Sequence, residues 1–487
     1  MLSIRRDISK YGREFSDYLL RGAWKMIRKR WMLLGTIGVV LLLLFLYLFV
    51  FAGNQTACGN PGEYSLNPDV KGSLGVLIVY MDPGIDHTRA QMVFDAARNA
   101  GAKWVRIGFI WAIANPAPGE YNLAEFDWII NAALSRNLTV LSVVMFTPRW
   151  ASGAPGSDEY YLYPPENMET IYKFARTVAS HYAGRVDHWE LWNEPDMDGF
   201  FRDLDGDSSR ADDYAKMLAY FYRGVKEGNP DAQVVLGGLA DFPGAPGCED
   251  GFLEKILSDE EYPAGNNFDI LNIHTNFRSP EEIKDQIAGD RALIEKFGFE
   301  KPLWITETSY TPVKRFQILP CYQGEGGFQR YVHDSLVVEL NSGVQVAFWA
   351  ALHDYGDDRP EDDPYKYSGL YTYDLKPKPA LYVFRDLAED LEHHHVDTLS
   401  HKSDYVMSTN WFTLSTGSEI STFHINSHRV YNFSSTLAMS NGRRTVTSPS
   451  TVMYLASSLT LPQETASLTL APLKEPSHST AVVIYTA

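Results

Sequence analysis

From residue 74 to about residue 391, short runs rich in β-branched and aromatic residues alternate with longer stretches whose apolar positions recur every three or four residues. Runs of the first kind suit strands buried on both faces, and stretches of the second kind suit amphipathic helices. Strict alternation of the two forces parallel pairing, because a parallel neighbour is reached only through a crossover. The spacing predicts strands over 74–79, 104–108, 139–146, 186–192, 234–238, 270–274, 303–306 and 344–349. Helices are predicted over 88–100, 123–136, 168–182, 210–228, 280–297 and 327–341, with a last one ending near 391. An open doubly wound sheet has the same alternation, but no Gly-x-Gly-x-x-Gly follows the first run.

The flanks differ from this region. Residues 31–52 contain no charge and are long enough to cross a hydrocarbon core of about 30 Å as a helix. Residues 1–30 carry nine Lys/Arg against three acids, a bias that keeps this end cytoplasmic. The run exceeds the apolar core of a cleaved signal peptide, so it predicts a single-pass transmembrane anchor with the bulk of the chain outside. Residues 53–72, with Gly, Asn and Pro, read as a tether, 73–392 as the main domain, and 393–487, rich in Ser and Thr with alternating apolar positions, as a small β-sandwich.

A formal charge of -18 argues against nucleic acid as a partner, since phosphate binding needs clustered Lys and Arg. The expected partners are the bilayer, through the N-terminal helix, and a neutral or cationic substrate. The three cysteines, Cys58, Cys248 and Cys321, form no Cys-x-x-Cys and signal neither a zinc site nor a disulfide scaffold. Cys248 and Cys321 both lie in Pro/Gly-containing stretches, and both a bridge between them and free thiols are open at this level.

Chemistry concentrates at two strand ends. In His188-Trp189-Glu190-Leu191-Trp192-Asn193-Glu194-Pro195 an apolar strand stops at Asn-Glu-Pro, and Pro195 cannot continue a central strand. In Pro302-Leu303-Trp304-Ile305-Thr306-Glu307-Thr308 a second carboxylate appears where the run stops. A lone Glu after a strand is usually a solvated loop residue. Two in matching positions at one barrel mouth are what glycosidic cleavage requires, one to protonate the leaving oxygen and one to attack or to activate water.

On these motifs residues 74–391 resemble glycoside hydrolase clan A, whose acid/base follows Asn at the end of the fourth strand and whose nucleophile ends the seventh. The strand order counted from periodicity agrees, and the resemblance selects an α/β (β/α)8 TIM barrel. It implies Glu194 as acid/base and Glu307 as nucleophile, with no cofactor and no metal. It further implies that Arg106 holds Glu307 ionised, that Asn193 meets the sugar 2-hydroxyl, and that His274 and Trp349 line the substrate pocket. Trp150 is a candidate sugar-stacking platform, and Tyr310 a candidate cleft residue. The Thr147-Pro148-Arg149-Trp150-Ala151 segment, with Gly369-Leu370 ahead of Lys376-Pro377-Lys378-Pro379, is most similar to family 39 and its relatives.

The expected function is therefore a membrane-anchored retaining glycoside hydrolase acting on a poly- or oligosaccharide by double displacement. A transglycosylase using the same two Glu, and a non-catalytic carbohydrate-binding surface protein, are the alternatives. The acidic stretches 203–207 and 357–363 read as solvated loops on the cleft rim: Ser208 stands where a calcium loop needs Gly, and Tyr214 where it needs Glu.

Overall fold

The computed structural model describes residues 64–79, 81, 83–204, 210–356 and 359–397, together with the backbone of short strands between 411 and 472. The expected anchor and cytoplasmic segment, most of the tether, Cys58 and parts of both acidic stretches lie outside the described residues. No helix among the described residues is long and apolar enough to cross a membrane.

Eight parallel strands form one sheet: β1 (Ser73–Leu77), β2 (Trp104–Ile110), β3 (Thr139–Met145), β4 (His188–Leu191), β5 (Gln233–Val235), β6 (Leu271–His274), β7 (Leu303–Thr308) and β8 (Val346–Trp349). Their order is β5-β4-β3-β2-β1-β8-β7-β6, so β1 and β8 are neighbours. The remaining gap is spanned by the parallel bridges Val235↔Ile270 and Leu239↔Ile273, which makes the sheet a nearly closed barrel.

The crossovers are α1 (His87–Asn99), the single turn α2 (Trp111–Ala114), α3 (Ala124–Leu134), α4 (Glu169–His181), α5 (Arg210–Gly228), α6 (Phe252–Ser258), α7 (Pro280–Lys296), α8 (Gly324–Asn341) and α9 (Pro379–Asp397). Periodicity located all but α2 and α6, which are too short to show a helical repeat. Helix starts follow capping chemistry. Asp86 accepts the Arg89 N–H ahead of α1, and Ser279 and Glu282 form a reciprocal capping box around Pro280 at the start of α7.

Strand alternation divides the core. Outward residues such as Val76, Val105, Trp189 and Ile305 pack against the helices. Inward residues Leu141, Val235, Ile270, Trp304, Val346 and Phe348, with Trp104 against them, fill the bottom of the barrel. His188 stacks on Trp304 there at 5.1 Å, and burial pulls its imidazole down to about 4, so it is a neutral packing element.

The chain divides into two compact units, the second beginning at Val396. In that unit β9 (Trp411–Thr416) and β10 (Glu419–His424) pair antiparallel. Strands β11 (Phe433–Met439), β12 (Gly442–Arg444) and β13 (Ser467–Pro472) form an antiparallel sheet in the order β12-β11-β13.

Cys248 is a free thiol and Cys321 is disulfide-bonded, so no bridge joins the two. Burial pushes the Cys248 thiol up to about 11, with the Asp196 carboxylate adding to the shift.

Candidate active site

Arg106 projects inward from β2 and is almost wholly buried. A buried guanidinium needs carboxylates and acceptors for its donors, and it has them. Nε and Nη2 donate to the two oxygens of Glu190, each at 2.8 Å. Nη1 donates to Glu307 Oε1 at 2.7 Å and Nη2 to Asn193 Oδ1 at 2.8 Å. Glu190 also receives Asn272 Nδ2 and the Gly238 N–H, each at 3.1 Å. Periodicity did not single out Glu190. The available signal was a charged residue in the inward phase of a buried strand, a position that demands a buried partner.

Above this layer, β4 does not simply run out. Trp192 (φ 71°) and Glu194 (φ 45°) both have left-handed backbone, which is costly for non-glycine residues and turns the chain so that Asn193 and Glu194 both face the barrel axis. Tyr214 on α5 braces the turn, its hydroxyl donating to the Leu191 carbonyl at 2.9 Å and accepting the Gly237 N–H at 2.8 Å. Asp196 ties the same loop to the one after β5 by accepting the Ala240 and Asp241 N–H groups.

Glu307 reaches the axis by another device. Along β7, Trp304 and Thr306 face inward, and regular alternation would send Glu307 outward. The register shifts against both neighbours: Ile273↔Ile305 is followed by His274↔Glu307 on one side, and Ile305↔Ala347 by Thr308↔Trp349 on the other. The extra residue is a bulge, which leaves Thr306 and Glu307 both inside and sends Thr308 out.

His274 joins the two carboxylates. Its Nδ1 lies 2.9 Å from Glu194 Oε1 and 4.0 Å from Glu307 Oε2, while Nε2 meets Thr306 Oγ1 at 3.0 Å. A Cβ on Gly238 would fall 2.0 Å from His274 Nε2, so the ring occupies the space of a missing side chain. Single ligand atoms of Glu194, His274 and Glu307 all lie within 4.8 Å of one another. That spacing suits a cation in principle, but the Arg106 guanidinium already provides positive charge at Glu307.

The two carboxyl groups differ electrostatically. Burial raises the proton affinity of Glu194, opposed by its hydrogen bond to His274 and reinforced by the charge of Glu307. Burial also acts on Glu307, but His274 and Arg106 outweigh it and hold this carboxyl below the usual range. His274 is raised: burial works against its charge, and the charge of Glu307 with the hydrogen bond to Glu194 prevails.

Of the eight residues singled out from the sequence, the fold brings five together: Glu194, Glu307, Arg106, Asn193 and His274. Trp150 stands half-buried on the loop after β3, its orientation set by a 2.9 Å hydrogen bond from Nε1 to the Asn115 carbonyl. Two expectations are corrected. Tyr310 has no exposed surface: it stacks on Tyr331 at 4.4 Å, and its hydroxyl accepts the Leu319 N–H. Trp349 is likewise fully buried, because β8 turns Phe348 inward and Trp349 outward against Phe328 and Tyr331 of α8.

Two other aromatics feel the charge of the carboxylates. Tyr365 is half-buried, T-shaped against Phe277 at 5.1 Å, and its hydroxyl feels, after burial, the charges of Glu194 and Glu307. Burial, with the Glu307 charge adding and Arg359 opposing, lifts Tyr355 to about 12. Both come from the loop after β8, whose sequence shows no periodic signal.

Fold and site together define a class: the chain resembles the clan A glycoside hydrolases. No family model matches it. The β-xylosidase of Geobacillus stearothermophilus is 27% identical over 219 residues, 40% of this chain and 42% of that one. Endo-1,4-β-xylanase C of Paenibacillus barcinonensis is 24% identical over 135 residues, 25% of this chain and 12% of that one. The chain thus spans less than half the length of the curated relatives it matches. Among solved structures, a family 39 glycoside hydrolase from Bacteroides cellulosilyticus WH2 superposes with a TM-score of 0.51 at 19% identity, over 72% of this chain and 67% of that one. A monomeric β-xylosidase from Caulobacter crescentus CB15 gives 0.50 at 18% identity, over 66% and 69%.

Proposed function

We propose that this barrel is a retaining glycoside hydrolase of family 39 type. Glu307 attacks the anomeric carbon and Glu194 first protonates the leaving oxygen, then activates water. The observation that carries the reading is the pairing of a carboxyl whose proton affinity is raised with one whose proton affinity is lowered, one oxygen of each within 4.8 Å of the other. Retaining pairs stand about 5–5.5 Å apart, whereas an inverting pair leaves about 6.5–9.5 Å for a water.

The electrostatics support both steps. Arg106 keeps the nucleophile charged before attack. Once Glu307 becomes a glycosyl ester its charge is gone, and with it one of the influences that raise Glu194, so Glu194 turns from acid to base without moving. Arg106 occupies Asn193 Oδ1, which leaves Asn193 Nδ2 as the donor for a sugar 2-hydroxyl.

The names of the relatives favour a β-linked xyloside or a similar pyranoside as substrate. The uncharged run 31–52 behind a basic segment supports a membrane tether with the barrel on the outer side. Turnover of a panel of 4-nitrophenyl β-glycosides, with NMR of the first-formed anomer, tests the proposal. A β product from a β-glycoside is expected. An α product would replace double displacement by single inversion, and binding without turnover would favour a lectin-like role.

A further inference from the structure

We propose that Glu339, on α8 outside the barrel wall, is a positioning residue that holds the bulge of β7 and thereby keeps Glu307 pointed into the barrel. The inference rests on the reading of Glu307 as nucleophile.

A bulge is an irregularity that the ladder by itself does not hold in place, and this one sits where a displacement of Glu307 matters most. Thr308 is the first outward residue past it, and its hydroxyl lies 2.7 Å from Glu339 Oε1. Thr275, the outward residue following His274, lies 2.8 Å from the same oxygen, and the two hydroxyls are 2.8 Å apart. One carboxyl therefore grips the outward neighbours of both Glu307 and His274. The Thr275 N–H also donates to the Glu307 carbonyl at 3.0 Å, so the grip extends to the backbone of the bulge.

Both threonine hydroxyls donate to Glu339 Oε1, and its Oε2 has no partner. Complete burial pushes the carboxyl up to about 8 against those two hydrogen bonds. An ionised carboxylate there would be buried without a cation.

Glu339 touches no reacting atom, so its removal is expected to act on turnover rather than on binding. The test uses the full-length chain in detergent with 4-nitrophenyl β-D-xyloside, comparing Glu339→Leu, Glu339→Gln and Thr308→Val. Displacement of a reacting group by about 1 Å costs up to about a hundredfold in rate. Glu339→Leu should therefore lower kcat by about that factor, with KM changed less than about twofold. It should also move the acidic limb of the pH profile upward as Glu307 leaves Arg106. Glu339→Gln, neutral and of the same shape, should stay within about fivefold of wild type, and Thr308→Val should lose about tenfold.

A crystal structure of Glu339→Leu gives a readout independent of activity: the Arg106–Glu307 contact lengthens. Unchanged kcat with an intact contact overturns the proposal, and if the Leu variant does not fold, unchanged kcat in Thr308→Val does so. A wild type inert on every glycoside would overturn the glycosidase reading instead, and the crystal structure would still decide whether Glu339 positions Glu307.

Discussion

Arg106 Nη1 stands 2.7 Å from Glu307 Oε1 while Nε and Nη2 of the same guanidinium are held by Glu190. The charge that lowers the proton affinity of Glu307 is thus fixed in place by a second carboxylate beneath it. Removing Arg106 leaves Glu190 buried without its cation, a change that costs about 3–5 kcal/mol in buried pairs. Arg106→Ala should unfold at markedly lower denaturant concentration than wild type, and any remaining activity should show an acidic limb moved to higher pH. A variant as stable as wild type would contradict this assignment of the ion pair.

The opposite shifts of the two carboxyls set the pH profile of kcat/KM. In the proposed double displacement Glu307 must be ionised, and because its affinity for protons is lowered, activity should persist as pH falls below the usual Glu range. As the proposed acid Glu194 must be protonated, and because it is raised, activity should extend above that range and fall as pH rises through its titration. Glu194→Gln should remove the dependence on the leaving group's acid catalyst: 2,4-dinitrophenyl glycosides still react in the first step while alkyl glycosides do not. Equal losses on both would argue against the acid role.

Gly238 makes room for His274. With a Cβ placed 2.0 Å from Nε2, Gly238→Ala must push the imidazole away from Glu194 and Thr306. The expected result is a drop of at least about tenfold in kcat/KM from a protein whose circular dichroism spectrum is unchanged.

Glu339 also carries a stability signature. Its folded carboxyl lies at about 8 against an ordinary 4.5, so the folded state holds the proton more tightly. Its stabilising contribution is complete below the unfolded value and is lost as pH rises through the folded one. Urea unfolding between pH 5 and about 8.5 should show wild-type stability falling with pH, and Glu339→Gln should flatten that slope.

The tether proposal has its own measurement. The full chain should partition with membranes and resist extraction by high salt, and deletion of residues 1–52 should release it. A full-length chain washed off by salt would exclude a spanning helix.

Much of the barrel was readable because its strands are continuous apolar runs and its longer helices have a clear stripe. The ends of the runs at Asn193-Glu194-Pro195 and at Glu307 revealed where carboxylates would stand. Glu190 escaped because a charge inside a strand looks the same in sequence whether or not an arginine lies opposite. The clan resemblance points Trp349 to the pocket, and the place of Tyr310 after Glu307 points it to the cleft, yet packing against α8 buries both.

What the sequence determined by itself was the alternation of elements, their order, and the assignment of one carboxylate to the fourth strand and one to the seventh, since these follow from local periodicity and chain direction. What only the tertiary structure decided was which way those carboxylates face. Simple alternation along β7 would turn Glu307 to the helices. The bulge set against β6 and β8 turns it to the axis, just as left-handed backbone at Trp192 and Glu194 aims the Glu194 carboxyl. A register shift is a relation between strands distant in the chain, held here by Arg106 from inside and Thr308 and Glu339 from outside, so no local pattern encodes it.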